Sequence, residues 1–133
     1  MKPILPVALL AVAVGLMAVD LQDAVAQASY SLKAVESQPI PRAEHFALWK
    51  EVALKACADS QGRFNLGEAE CRRVISQRGD ACAVTLKDQS PAVISSTAVA
   101  RDIGRKYMHC ATPFYFCKGV EVKTEEEVRA KCK

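Results

Sequence analysis

From Arg42 to Ser60 the apolar residues Phe46, Trp49, Val52, Ala53, Ala56 and Cys57 recur at intervals of three and four. That spacing sets one face of an α-helix against a core. It predicts a helix closed by Gln61-Gly62, with Trp49 buried beside Phe46, Ala53 and Cys57. A second helix is expected from Asn65 as N-cap, with Glu68 three positions on and Glu70 in its first turn. It carries Leu66, Ala69, Val74 and Ile75 and breaks near Arg78-Gly79, after which Asp80 caps a short turn through Ala81 to Lys87. Ser90-Pro91 signals a further helix start, a capping side chain followed by proline at the first helical position. Along that helix Ala92, Val99, Ile103, Tyr107 and Cys110 share a face. Gly104 inside it costs about 1 kcal/mol against alanine, which points to close packing on another element. The last helix opens at Thr124 with Glu127 three residues on, a capping box, and runs to Cys132.

Between the last two helices the period changes from helical to alternating. Phe114-Tyr115-Phe116-Cys117 and Val120-Glu121-Val122-Lys123 read as two short strands around the turn Lys118-Gly119, glycine being free to take positive φ. Pairing across the turn sets Cys117 opposite Val120 and Tyr115 opposite Val122. Those four are expected to face the helices, leaving Phe114, Phe116, Glu121 and Lys123 on the outer side. The fold class that follows is mainly α: a small disulfide-stapled domain of four to five short helices with one β-hairpin near 114–123.

The N-terminal pattern is of another kind. Met1-Lys2-Pro3 precedes an apolar run from Ile4 to Val19, then Asp20, Asp23 and the triplet Ala24-Val25-Ala26. A short basic region, an apolar stretch and an A-x-A site make up a cleavable secretory signal over residues 1–26, cut between Ala26 and Gln27. The run falls short of the ~20 residues that span a bilayer, so no membrane attachment is expected after cleavage. Residues 27–41 are polar with two prolines and read as a flexible lead-in, and residues 42–133 as one disulfide-rich helical domain.

All six cysteines, Cys57, Cys71, Cys82, Cys110, Cys117 and Cys132, follow the leader. An even count in a small exported chain predicts three disulfides and an oxidising compartment, periplasmic or secreted. Neither the close C-x(2–4)-C pairs of a structural zinc site nor a C-x-x-C redox motif occurs. On one continuous helix Cys71 and Cys82 would lie about 16 Å apart, too far to bridge unless the chain folds back at Gly79. Pro113 turns the chain between Cys110 and Cys117, which favours that pairing, although the spacings leave the connectivity open.

Loss of the leader removes Lys2, Asp20 and Asp23, so 17 basic and 13 acidic residues leave a net charge of +4. This mild excess suits an acidic protein partner and lacks the concentrated basic footprint of a nucleic-acid binder. Arg101 and Arg105 with Lys106 form a basic stripe on one helix, a solvated face or a partner contact. His45 and His109 are the two histidines, read as surface residues outside any catalytic signature, and Glu68, Glu70 and Glu125 to Glu127 suit helix starts. No catalytic residue, cofactor or metal is assigned.

The function that fits is an exported protein-binding module, an inhibitor or an immunity-type protein. Its candidate contact residues are Phe114, Phe116, Glu121, Lys123, Arg101 and Arg105. A small secreted enzyme or toxin whose site leaves no local motif, or an accessory part of an envelope machine, is the alternative. The aromatic segment 114–116 is itself open to two readings, core or interface.

Overall fold

A computed structural model describes residues 31–133. The expected leader and its cleavage site lie outside the described residues. The described chain is mainly helical, with α1 (Arg42–Lys55), α2 (Ser60–Phe64), α3 (Glu68–Lys87), α4 (Thr97–Ala111) and α5 (Glu125–Lys131). Four short strands accompany them: β1 (Ile40–Pro41) pairs antiparallel with β2 (Val93–Ile94), and β3 (Tyr115–Cys117) with β4 (Val120–Val122).

The long helices α1, α3 and α4 pack against one another in pairs. α1 and α4 run the same way, since His45 meets Ala100 and, four residues further along each helix, Trp49 meets Gly104. α3 runs opposite to α1. The Arg42 guanidinium reaches the carbonyls of Lys87 and Ser90 at one end, while Cys57 bridges to Cys71 at the other. Between the helices lie two buried clusters. One joins Val35, Phe46, Cys82, Leu86, Ile94, Ala100, Ile103, Tyr107 and Ala111, with the Phe46 and Tyr107 rings stacked at 5.6 Å. The other joins Ala53, Cys57, Phe64, Leu66, Cys71 and Ile75.

Two glycines allow the close approach of helices that this packing requires. A Cβ on Gly104 would clash with the Trp49 indole at Cε2, Cζ2 and Nε1, so the expectation of close packing there holds. Trp49 itself is only half-buried, whereas Phe46, Ala53 and Cys57 are buried as expected. Val52 is 44% exposed, which narrows the buried face of α1. A Cβ on Gly79 would come 2.5 Å from the Tyr107 hydroxyl oxygen. Gly79 is therefore a packing residue, and α3 runs through the break expected there because Cys71, Val74, Ile75, Gly79, Cys82 and Leu86 form one uninterrupted buried stripe.

Other helix boundaries also differ from expectation. α1 gives way to a 3-10 turn at Ala56–Asp59 and then to α2, so Gly62 lies within a helix. Asn65 takes φ 53 and closes α2 as a left-handed C-cap, the opposite of its expected role. Gly67 occupies the N-cap of α3. Ser90-Pro91 starts no helix: the Ser90 hydroxyl donates to the Leu86 carbonyl at the end of α3. The chain then extends into β2, where fully buried Ile94 pairs with Ile40, and Ser96 stands at the N-cap position of α4 without a side-chain capping bond. The buried face of α4 is Ala100, Ile103, Gly104, Tyr107 and Ala111, while Ala92, Val99 and Cys110 are exposed.

Part of the expected lead-in is tied into the fold. Val35 is completely buried, and the Thr97 hydroxyl donates to the Leu32 carbonyl at 3.2 Å. All six cysteines are paired, as Cys57–Cys71, Cys82–Cys110 and Cys117–Cys132, with Cα separations of 5.6, 5.9 and 5.0 Å. Cys71 and Cys82 are not partners, as helix geometry required. The favoured Cys110–Cys117 pairing is incorrect: Cys110 points to α3, and Cys117 to the chain beyond α5.

Candidate hairpin groove

The hairpin forms with the expected register, Tyr115 opposite Val122, Phe116 opposite Glu121 and Cys117 opposite Val120. Its two-residue turn places Lys118 at φ 51 and Gly119 at φ 80, the double left-handed conformation whose twist matches that of paired strands. A lone two-stranded hairpin is marginal in water, so what holds this one decides its rigidity. The Asn65 side-chain amide donates to the Phe116 carbonyl at 2.9 Å. Arg78 of α3 donates two hydrogen bonds, of 2.8 and 2.7 Å, to the Glu121 carboxylate, which also accepts the Phe114 N–H at 2.7 Å. The Arg78 guanidinium holds the Glu121 carboxyl below its usual pKa against the opposing effect of burial, and the Phe114 N–H adds to it.

These contacts correct the expected assignment of faces. Phe116 is half-buried and packs on the second core cluster, and the Glu121 side chain is only 16% exposed. Both residues therefore dock the hairpin onto the helices. On the other face Cys117 and Val122 are buried, while Tyr115 and Val120 are 42% and 48% exposed. The reason is that the hairpin is covered twice. The core lies on the Phe116 face, and α5, tethered through Cys117–Cys132, covers part of the face that was expected to meet the helices.

α5 starts as its sequence implies. The Thr124 hydroxyl accepts the Glu127 N–H at 3.2 Å, and the Glu127 carboxylate reaches back to the Lys123 N–H at 2.6 Å, one residue earlier than in the usual capping box. That backbone bond chiefly holds the Glu127 carboxyl below its usual pKa. Arg129 pairs with Glu125 at 3.0 Å.

Between hairpin and α5 runs a groove of about 470 Å³ lined by Phe114, Tyr115, Val122, Lys123, Thr124, Glu125, Val128 and Arg129. Phe114 is 37% exposed, with the His109 ring edge-on at 6.1 Å and the Lys123 ammonium 5.7 Å from its centroid. The two aromatics, with exposed Val128 and the cations Lys123 and Arg129 in the same lining, form an amphipathic surface of the composition found at interface anchors. Of the expected contact residues, Phe114 and Lys123 meet here. Phe116 and Glu121 lie behind the groove, and Arg101 and Arg105 are exposed on α4, outside its lining. Tyr115, Val128 and Arg129 were missed, since the packing of α5 on β4 and the Cys117–Cys132 link that bring α5 beside the hairpin are not written in any local pattern. A larger concavity of about 710 Å³ follows α1 beside Ser31 and Leu32, at the edge of the described residues.

The histidines separate. His109 is exposed, as expected, but His45 is completely buried. Its Nε2 lies 3.1 Å from the Ala100 carbonyl oxygen and 3.1 Å from the Trp49 indole nitrogen: unprotonated it accepts the indole N–H, protonated it donates to the carbonyl, and one nitrogen does not do both. Burial pushes its pKa down, partly offset by the Ala100 carbonyl. The readable signal was its spacing: His45 and Trp49 stand four residues apart on a helical face. Among the described residues no three His, Cys, Asp or Glu side chains converge as metal ligands would. Comparison with protein-family models, curated proteins and solved structures yields no match to this chain.

Proposed function

We propose that this chain is an exported protein-binding module, of inhibitor or immunity type, which grips a protein partner in the periplasm or outside the cell through the hairpin groove. The observation that carries the reading is the exposed Phe114 and Tyr115 pair on a support fixed from three sides, by Arg78, Asn65 and the Cys117–Cys132 bridge. Aromatic side chains in such positions dominate binding energy, and a surface that is already rigid loses little freedom on association. Three disulfides mark a chain that folds in an oxidising compartment, in keeping with action outside the cytoplasm.

The test is quantitative capture from periplasmic extract by immobilised oxidised protein. Phe114→Ala and Tyr115→Ala should leave the melting temperature nearly unchanged and weaken capture of one specific partner by roughly 30-fold or more, the effect of losing a binding hot spot. Phe116→Ala should act differently, lowering stability because its ring serves the core. Unchanged capture by both exposed-aromatic variants would overturn the reading.

A further inference from the structure

The three disulfides differ in what each one holds. Cys57 and Cys71 are both fully buried within a core cluster. Cys82–Cys110 joins α3 to α4, but those helices share a packed interior through Cys82, Leu86, Ile103 and Tyr107 and do not depend on the bridge to stay together. Cys117–Cys132 has no such backing. α5 buries none of its seven residues, packs on β4, and is tied at its far end through this bridge. Cys132 and Cys110 are both exposed while their partners Cys117 and Cys82 are buried, so an incoming thiolate reaches one sulfur of either bridge, and the two differ in what the surrounding packing holds once the bond is broken. Lys118 follows Cys117, Lys131 and Lys133 flank Cys132, and the Lys118 ammonium donates to the Lys133 carbonyl oxygen. This cationic surrounding stabilises the thiolates that exchange generates.

We infer that Cys117–Cys132 is a redox-operated strap: a dithiol reductant opens it before the other two bridges, α5 comes away, and one wall of the hairpin groove is lost. The reductant's first thiolate attacks Cys132 Sγ, the S–S bond breaks, and Cys117 leaves as a thiolate that takes up a proton. The second thiol then attacks the reductant sulfur of the mixed disulfide. Cys132 is freed as a thiolate and protonated, and the reductant closes into a disulfide; two electrons have passed to the cystine. Binding competence is thereby confined to the oxidised chain. That last consequence rests on the groove being the binding surface; the opening of the strap does not.

The experiment exposes intact oxidised protein to graded dithiothreitol, traps free thiols by alkylation, maps them by mass spectrometry and follows hydrogen exchange on the same samples. Cys117 and Cys132 should label first, the exchange of 125–131 should rise to that of unstructured chain, and α1, α3 and α4 should keep their protection. Prior labelling of Cys82 and Cys110, or protected 125–131 amides after selective labelling of Cys117 and Cys132, overturns the inference. The double variant Cys117→Ser/Cys132→Ser should reproduce the opened state without reductant, and its failure to keep a folded helical core would equally contradict it. Opening without any change in partner capture would leave the strap standing and refute the groove; loss of capture in Tyr115→Ala with no opening would do the reverse.

Discussion

Replacing Gly104 with alanine sets two effects of opposite sign against each other. In an open helix the change stabilises by about 1 kcal/mol, because alanine loses less backbone freedom on folding. Here the new methyl group would occupy the space of the Trp49 indole, meeting Cε2, Cζ2 and Nε1. The ring has to move, at an overpacking cost of about 1–3 kcal/mol, and its 3.1 Å bond to His45 is lost for roughly 1 kcal/mol more. Strain outweighs propensity, giving net destabilisation of about 1–3 kcal/mol, or at least roughly 4 °C in melting temperature for a domain of this size. Denaturant unfolding followed by far-UV circular dichroism measures it in every background, since Trp49 is the single tryptophan and its fluorescence is lost in the Trp49→Ala variants. The sign is decisive in a double-mutant cycle: in a Trp49→Ala background, Gly104→Ala should become stabilising by about 1 kcal/mol. If Gly104→Ala stabilises the wild-type background too, the close approach of α1 and α4 is wrong.

Glu121→Gln should cost about 1–2 kcal/mol by removing the two-pronged bond from Arg78, read as a fall in denaturant midpoint. Because the folded Glu121 pKa lies below its ordinary 4.5, the pair stabilises above that value and the contribution is lost as pH falls through the folded pKa; the variant should lose less stability as the pH is lowered from above 4.5 through that range. For His45 the depressed folded pKa means that the unfolded chain binds the extra proton first, so stability should decline as pH drops below about 6.5, and His45→Phe should flatten that decline in melting curves. Replacing Cys57 and Cys71 together by alanine should cost about 3 kcal/mol or more, given the chain entropy of a loop with sequence separation 14 and the burial of both residues. The Cys117→Ser/Cys132→Ser variant should cost the helical core much less, as seen by circular dichroism and melting.

Much of this fold was legible wherever one local pattern decided the outcome. The hairpin register followed from alternation and Lys118-Gly119, the start of α5 from Thr124 and Glu127, and the close packing at Gly104 from a glycine inside a helical stripe. Local patterns failed where tertiary contact overrode them. Gly79 read as a breaker because sequence does not show Tyr107 pressing on it. Ser90-Pro91 read as a helix start because the pairing of Ile94 with Ile40 spans more than fifty residues. At the candidate site, Phe114 and Lys123 were found from the hairpin pattern alone. The inward roles of Phe116 and Glu121 were hidden, since they depend on Arg78 and on a disulfide partner that spacing left undecided.

The central claim is that the groove beside Tyr115 is where a protein partner binds, and site-specific photocrosslinking tests it most directly. A photoreactive phenylalanine is placed at Tyr115 in one exported variant and at Val84, 73% exposed on α3, in another. After irradiation under oxidising conditions, Tyr115 should yield one dominant protein adduct that Val84 does not, and the adduct should vanish when Phe114→Ala is added. A dominant adduct from Val84 with none from Tyr115 would contradict the account.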